Sequence, residues 1–159
     1  MSEIGQLTAV QLLQHFRDKS LSPVEVTEDA LMHNPDETRK QLRLLRNLGV
    51  RVALDDFGSG PCSLAYLRDL ELDTLKLDRH LIARLPDSTR DAALVSNVIN
   101  LCKQYGLLVI AEGVETVEQY QWLQAHGCEY VQGFLVARPL TSEDAVSFAK
   151  PFDWSALPV

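Results

Sequence analysis

The sequence predicts an α/β fold in which parallel strands alternate with helices, as in a (β/α)8 TIM-barrel-like domain. Strand segments and amphipathic segments alternate along the chain, which is typical of strands joined by helical crossovers. The strand at 107–111 is continuously apolar, as a parallel sheet buried on both faces requires. Polar residues follow nearly every predicted strand, and in a barrel the carboxyl ends of the strands converge on one face. A doubly wound sheet is the alternative, and it would gather these residues along a wider line.

The first half of the chain divides into helical and strand segments. Apolar residues at roughly helical spacing predict a helix over 7–19, and a proline-containing break separates it from a short strand at 24–26. A second helix, 29–48, has apolar residues along one face and charged residues on the other, and a glycine suited to a C-cap follows it. The next strand, 50–54, leads into a glycine-rich loop and a short helix at 64–70.

The second half continues this alternation. Residues 74–77 predict a strand, 91–105 a helix that ends before a glycine, and 107–111 the apolar strand. A threonine with a glutamine three residues later forms a capping-box pattern at the start of the helix 116–126. The last predicted elements are a strand at 130–132 and a helix at 142–148.

Length and composition are those of one globular domain. The chain has 159 residues, of which 46% are hydrophobic, and this is enough for a substantial core. It divides into an N-terminal helix at 1–19, a main domain at 20–150 and a tail at 151–159. The apolar runs are too short to cross a bilayer, which needs about 20 residues, and no signal-peptide pattern opens the chain. We therefore expect a soluble, cytoplasmic protein without a membrane segment.

The acidic charge limits the classes of ligand. A formal net charge of -7 disfavours nucleic acid polymers, whose binding depends on Lys and Arg neutralising phosphates. A small phosphate ligand is compatible with this charge if a metal ion supplies positive charge. Cys62, Cys102 and Cys128 form no Cys-x-x-Cys pair, so we expect free buried thiols rather than a zinc site or disulfides.

Polar residues stand at the ends of the predicted strands. If the strands converge, carboxylates gathered at one mouth repel one another unless divalent cations bind them. Sites with oxygen ligands and without His or Cys suit Mg²⁺ or Mn²⁺, and two such ions about 4 Å apart form the clamp used for phosphodiester cleavage. A lysine beside them can orient water or bind a phosphate oxygen. The strand-end residues are Glu25, Glu28, Asp55, Asp56, Lys76, Asp78, Glu112, Glu115 and Gln132.

These positions also have ordinary structural interpretations. Asp55 and Asp56 could cap a helix or form a turn, and the segment 112–115 could be a charged turn before a capped helix. Asp78 could cap a helix or pair with Lys76. Lys76 itself is harder to explain structurally, because lysine is almost never fully buried without a partner. Only the joint pattern raises the functional interpretation above the structural ones.

Five short motifs resemble, in order, the successive signatures of the EAL domain family. They are Glu-Val-Thr-Glu at 25–28, Asp-Asp-Phe-Gly-Ser-Gly at 55–60, Leu-Lys-Leu-Asp at 75–78, Ala-Glu-Gly-Val-Glu-Thr at 111–116 and Gln-Gly-Phe at 132–134. The resemblance implies a (β/α)8 TIM-barrel-like EAL fold that hydrolyses cyclic di-GMP to linear pGpG with two Mg²⁺ or Mn²⁺ ions. It makes the main domain, 20–150, a partial EAL domain.

The resemblance implies a metal-binding role for four acidic residues. Glu25 is similar to the metal-binding glutamate of the family's Glu-x-Thr-Glu segment, and Asp55 is similar to the ligand shared between the two metals. Asp56 is similar to a ligand of the second metal. Glu112 is similar to a further metal ligand, and the resemblance also implies a catalytic role for it.

The resemblance implies other roles around the metals. Lys76 is similar to the lysine that positions the attacking water, and Gln132 to the glutamine near that water. Glu115 resembles the acid that steadies the loop after the Asp-Asp strand. The loop 57–63 resembles the one that links substrate and metal binding to dimerisation, so a homodimer is expected. The residues linked to this loop or to substrate are Phe57, Gly58, Ser59, Gly60, Asp78 and Glu115.

The sequence departs from the family pattern in several places. It has no Glu-Ala-Leu motif, whose glutamate binds metal, and neither the metal-binding Asn of the next family strand nor the phosphate-contacting Arg. Pro61 and Cys62 stand where the family has an aromatic residue and a serine, and Phe134 replaces a tyrosine. We therefore expect a truncated barrel of about five parallel strands, which a partner chain or the rest of a longer protein completes.

Two functions follow from these observations, and the activity of this chain is open between them. The first is a cyclic di-GMP-specific phosphodiesterase, which the strand-end acids and Lys76 favour. The second is a catalytically degenerate EAL module that binds cyclic di-GMP or a protein partner as a signalling regulator, which the absent ligands favour. A weaker third interpretation is a fragment without an independent role.

Overall fold

Strands that follow one another in the sequence also lie side by side in one parallel sheet. The structure, a computed structural model, describes residues 24–27, 35–60, 65–141 and 143–144. Within these residues the sheet has five strands in the order β1-β2-β3-β4-β5, and every neighbouring pair is parallel. This is the order of a barrel wall, without the order reversal of a doubly wound sheet. The strands are β1 Val24–Thr27, β2 Val52–Phe57, β3 Thr74–Leu77, β4 Leu108–Glu112 and β5 Tyr130–Gln132.

Helices connect each strand to the next. The longest begins where the Ser88 hydroxyl accepts a hydrogen bond from the backbone N–H of Asp91, and it ends at Gly106, which has the left-handed conformation usual at a helix C-terminus. The described helices are α1 Pro35–Asn47, α2 Ala65–Asp69, α3 Arg79–Ile82, α4 Thr89–Tyr105 and α5 Val117–Ala125.

The core lies between the sheet and these helices. Leu54, Leu75 and Val109 are in register on three neighbouring strands, and all three are buried. Helix residues close the same layer, and their burial supplies the main stabilisation of the fold. The helix residues of this core cluster are Leu42, Leu67, Ile82, Val95, Val98, Ile99, Cys102 and Leu123.

The opposite face of the sheet is more open. On β4, Val109 and Ala111 are buried, whereas Leu108 and Ile110 are only half-buried. The prediction that this strand is buried on both faces is therefore wrong for the described residues. The half-buried positions belong to the face that points to the inside of the barrel, which five strands do not close.

The observed bounds differ from the predicted ones at a few places. β2 starts later than predicted and runs on through Asp55 and Asp56 to Phe57, and β4 includes Glu112. The helix α3 was not predicted, because four residues carry too little periodicity. The segments 1–19 and 151–159 lie outside the described residues, as does the helix predicted over 142–148 apart from residues 143 and 144. None of the helices in the described part of the chain has the length and apolar character that a bilayer crossing requires.

Cys102 and Cys128 should resist alkylation in the folded protein. Both are free and buried; burial raises the pKa of the Cys102 thiol to about 12, and it also raises the pKa of the Cys128 thiol. Because only the thiolate is a good nucleophile, iodoacetamide at pH 8 should label both residues at least about 100-fold more slowly in buffer than in urea. Peptide mass spectrometry measures the two rates, and equal rates in the two solvents would contradict the burial described here.

Candidate metal centre

The end of β2 bends so that two consecutive carboxylates contribute to one cluster. Successive side chains of a regular strand point to opposite faces. Here the register with β3 shifts between Leu54 and Phe57, and Asp56 has φ 57, in the left-handed region. Aspartate tolerates this conformation better than most residues, at a cost of roughly 1 kcal/mol. The irregularity thereby brings oxygen atoms of Asp55, Asp56 and Glu112 within 4.8 Å of one another.

Lys76 connects the two strands that carry these acids. It lies on β3 between β2 and β4, and its side chain is 11% exposed. Its ammonium nitrogen is 2.7 Å from Asp55 Oδ1 and 2.8 Å from Glu112 Oε1. The buried lysine thus has the partners that its burial requires, and it holds a carboxylate on either side.

The cluster suits a divalent cation. Asp55 Oδ1 is buried, and apart from the close approach of Lys76 it accepts no hydrogen bond from the described residues. In their ionised forms, three carboxylates and one ammonium leave a net charge of -2, which one divalent ion would balance. All the ligand atoms are carboxylate oxygens, the donors that Mg²⁺ and Mn²⁺ prefer.

Two further predicted residues lie on strands beside this cluster. Glu25 is on β1, where its Cα is in register with Ala53, two residues before Asp55; the position of its carboxylate is outside the description. Gln132 is on β5, in register with Glu112, and its side chain is exposed. The backbone therefore places Gln132 at the carboxyl end of the sheet, beside Glu112, whereas Glu25 lies two residues before the end of β1, on the strand next to the one that carries Asp55 and Asp56.

The remaining predicted residues have mainly local contacts. Asp78 caps α3: its Oδ1 accepts a hydrogen bond from the His80 backbone N–H at 2.7 Å and lies 2.5 Å from His80 Nδ1. Of its two predicted structural roles, capping is the one seen. Glu115 is exposed, and its carboxylate has no partner among the described residues. In the loop after β2, Phe57 is buried, whereas Gly58 is half-buried and Ser59 and Gly60 are exposed.

The loop that follows Glu112 is fixed against β5 by backbone contacts. The Val114 N–H donates to Gln132 O at 3.1 Å, and the Leu135 N–H donates to Val114 O at 3.1 Å. Gly133 lies so close that a methyl group on its Cα would overlap the Val114 carbonyl oxygen and nitrogen. The Gln-Gly-Phe motif therefore supports the neighbouring loop in addition to its own strand end.

Gly133→Ala should destabilise the protein by about 2 kcal/mol, because backbone atoms cannot move aside as a flexible side chain can. The melting temperature should fall by about 4–8 °C in a thermal unfolding experiment. Gly106→Ala is the control: its methyl group meets no atom within 4 Å, and its φ of 71 adds only backbone strain, about 1 kcal/mol. A Gly133→Ala protein as stable as this control would contradict the close approach.

One element and one contact near the site were not predicted from the sequence. The element is α3, whose only signal was an aspartate suited to capping directly after the strand that carries Lys76. The contact is made by Gln119: its predicted capping box is present, but its side chain also reaches Glu115 and Ile82. Such a contact between distant segments leaves no periodic pattern in the sequence.

Comparisons with known proteins agree on one family. The family model described as the EAL domain matches residues 4–139. The cyclic di-GMP phosphodiesterase NbdA of Pseudomonas aeruginosa is 41% identical over 162 residues, covering 99% of this chain and 21% of NbdA. The chain therefore spans about a fifth of the length of this curated relative.

Solved structures give the same result. The EAL domain of Mycobacterium smegmatis DcpA superimposes with a TM-score of 0.80 at 38% identity, over 89% of this chain and 66% of that one. A manganese and cyclic di-GMP complex of Klebsiella pneumoniae BlrP1 superimposes with a TM-score of 0.75 at 38% identity, over 80% of this chain and 34% of that one. The described fold is thus that of part of a TIM-barrel-like domain.

Proposed function

Because this chain belongs to the EAL domain family, we propose that it forms the metal-binding part of a cyclic di-GMP phosphodiesterase that yields linear pGpG. The observation that carries the proposal is the approach of Asp55, Asp56 and Glu112 around Lys76. NbdA, named a cyclic di-GMP phosphodiesterase, and BlrP1, solved with manganese and cyclic di-GMP, support cyclic di-GMP as the substrate and a metal ion as part of the site.

We propose Asp55, Asp56, Glu112 and Glu25 as metal ligands, and Mg²⁺ or Mn²⁺, as two ions, as the cofactor. Asp55 is suited to be the shared ligand, because its buried Oδ1 accepts no hydrogen bond from the described residues apart from the close approach of the Lys76 ammonium. When bound, the cations supply charge neutralisation at the phosphodiester and a water that ionises near neutral pH.

Lys76 is proposed to take part in the same hydrolysis. Its ammonium group has three N–H donors, and its nitrogen lies within ion-pair distance of both Asp55 and Glu112. Held between these carboxylates, the group keeps a fixed position from which it can orient the attacking water or bind a phosphate oxygen. Gln132 is in register with Glu112 and its exposed amide is available to the same water. We propose that a further set of residues supports the part of the site that binds substrate. These residues are Glu115, Asp78, Phe57, Gly58, Ser59 and Gly60.

The second part of the proposal concerns how the barrel is completed at the two outer strands of the sheet. β1 and β5 each have one strand neighbour among the described residues, and an outer strand offers backbone groups with which a further strand can pair. We propose that further strands, from the same polypeptide or from a partner segment, complete the barrel and that the assembled domain forms a homodimer. The free buried thiols of Cys102 and Cys128 support a reducing, cytoplasmic compartment.

A chromatographic assay tests the activity. The chain is incubated with cyclic di-GMP and Mn²⁺, and linear pGpG is measured, with Glu25→Ala as the variant that removes a proposed ligand. Product that disappears in the variant supports the phosphodiesterase. Folded protein that binds cyclic di-GMP without forming product would instead identify a regulatory binding module.

A further inference from the structure

The short helix α3 lies between the two loops that continue the acidic strands. On one side, the Asp78 N–H donates to Phe57 O at 3.0 Å, and the Leu81 side chain lies so close to Gly58 that a methyl group there would overlap it. On the other side, the side chain of Arg79 is equally close to Gly113. α3 therefore fills the space between the loop after Asp55 and Asp56 and the loop after Glu112.

Gln119, on α5, forms hydrogen bonds both to α3 and to the loop after β4. Its side chain is buried, at 5% exposure for the residue. The amide oxygen accepts hydrogen bonds from the backbone N–H groups of Glu115 at 2.8 Å and Thr116 at 3.1 Å. The amide nitrogen donates to the carbonyl oxygen of Ile82, at the end of α3, at 3.3 Å. One side chain thus joins the loop after β4 to α3.

A capping role accounts for only part of this geometry. A capping box needs the Gln119 N–H on the Thr116 hydroxyl and the Gln119 amide oxygen on the Thr116 N–H, and both are present. It does not need the second bond to the Glu115 N–H or the bond to Ile82 O, which lies 37 residues away in sequence. The first of these bonds fixes the end of the loop after β4, and the second connects that loop to a distant segment and constrains where α3 lies.

We propose that Gln119 is a positioning residue for the metal centre, an inference that rests on the proposed function. The three carboxylates come from two strands separated by β3 and repel one another, so their approach within 4.8 Å depends on how the strand ends are held. By fixing α3 between the two loops, Gln119 keeps Asp55 and Asp56 at the right distance from Glu112 without touching any of them. Residues that hydrogen-bond metal ligands directly typically change metal affinity about 10–100-fold when replaced, and we expect Gln119, which acts through α3, to give the lower end of this range.

Titration calorimetry with Mn²⁺ on the full chain tests this role. Gln119→Met fills the same space without hydrogen bonds, and we expect its Mn²⁺ dissociation constant to rise about 10-fold or more. Two controls should stay within about twofold of wild type by the same reasoning. Thr116→Ala removes the hydroxyl of the capping box but leaves the amide bonds of Gln119, and Gln121→Ala removes an exposed glutamine of the same helix.

Hydrogen exchange gives a second measurement that a simple capping role would not change. In Gln119→Met the amides of residues 57–60, across α3, should exchange faster, whereas in Thr116→Ala only those near 115–120 should. If Gln119→Met does not fold, Leu81→Ala takes its place, since it removes the half-buried side chain that holds α3 against Gly58 and should weaken Mn²⁺ binding as well.

The outcomes separate this inference from the proposed function. Wild-type Mn²⁺ binding that Asp55→Asn abolishes, together with unchanged affinity in Gln119→Met or Leu81→Ala, would overturn the positioning role alone. Wild-type protein that binds no Mn²⁺ would overturn the metal centre and the positioning role with it.

Discussion

Asp55→Asn is expected to lower Mn²⁺ affinity by more than about 100-fold and to reduce hydrolysis of cyclic di-GMP to background. The side chain shares the cluster with Asp56 and Glu112, and its buried Oδ1 accepts no hydrogen bond from the described residues apart from the close approach of the Lys76 ammonium. Asparagine keeps the shape but removes the negative charge that a hard divalent cation requires. Removing a direct ligand should lower the metal affinity by more than the 10–100-fold that follows from replacing a residue that supports a ligand.

The fold should survive this substitution. Lys76 keeps its partner Glu112, 2.8 Å away, so we expect the free energy of unfolding without metal to change by less than about 1 kcal/mol. Asp87→Asn, at an exposed position before α4, is the matched control and should leave Mn²⁺ binding and hydrolysis unchanged. Calorimetric Mn²⁺ affinity in Asp55→Asn equal to that of the control would place the metal elsewhere.

Lys76→Met should reduce hydrolysis by about 10²–10⁴-fold while preserving the metal ligands, because a group that positions the nucleophile or stabilises charge typically contributes this much. The same change removes the cation between Asp55 and Glu112, whose side chains are only 19% and 18% exposed. Breaking a largely buried ion pair from one side costs about 3 kcal/mol, so the metal-free variant should be clearly less stable.

Mn²⁺ should restore much of the stability that Lys76→Met loses, because a divalent cation between the carboxylates replaces the missing ammonium charge. The increase in melting temperature on adding Mn²⁺ should therefore be larger in Lys76→Met than in wild type, although the variant turns over less substrate. Lys40→Met, at an exposed position of α1, controls for the loss of a lysine. If Mn²⁺ stabilises Lys76→Met no more than Lys40→Met, the metal does not lie beside Lys76.

Much of the fold followed from the order of strand and helix segments. The parallel strands and the polar residues at their ends were predictable, because a strand such as β4 leaves a short apolar run that stops at a charged residue. The same pattern, with the resemblance to the EAL domain, singled out Asp55, Lys76 and Glu112, and the structure brings these three side chains together.

The details that set the geometry of the site could not be predicted in the same way. Strand periodicity places Asp55 and Asp56 on opposite faces, and only the register shift with the left-handed Asp56 brings their oxygens into one cluster. The hydrogen bond from Gln119 to Ile82 O joins segments 37 residues apart, and no local pattern encodes it. The sequence allowed Asp78 to cap a helix or to pair with Lys76, and the hydrogen bond from the His80 N–H shows that it caps α3.

Anomalous diffraction from crystals grown with Mn²⁺ is the decisive test of the metal centre, because it locates the metal without depending on turnover. We predict an anomalous difference peak at the carboxyl end of the sheet, within coordination distance of Asp55, Asp56 and Glu112, that is lost in Asp55→Asn. Occupied manganese sites elsewhere, with no peak among these three carboxylates, would contradict the account.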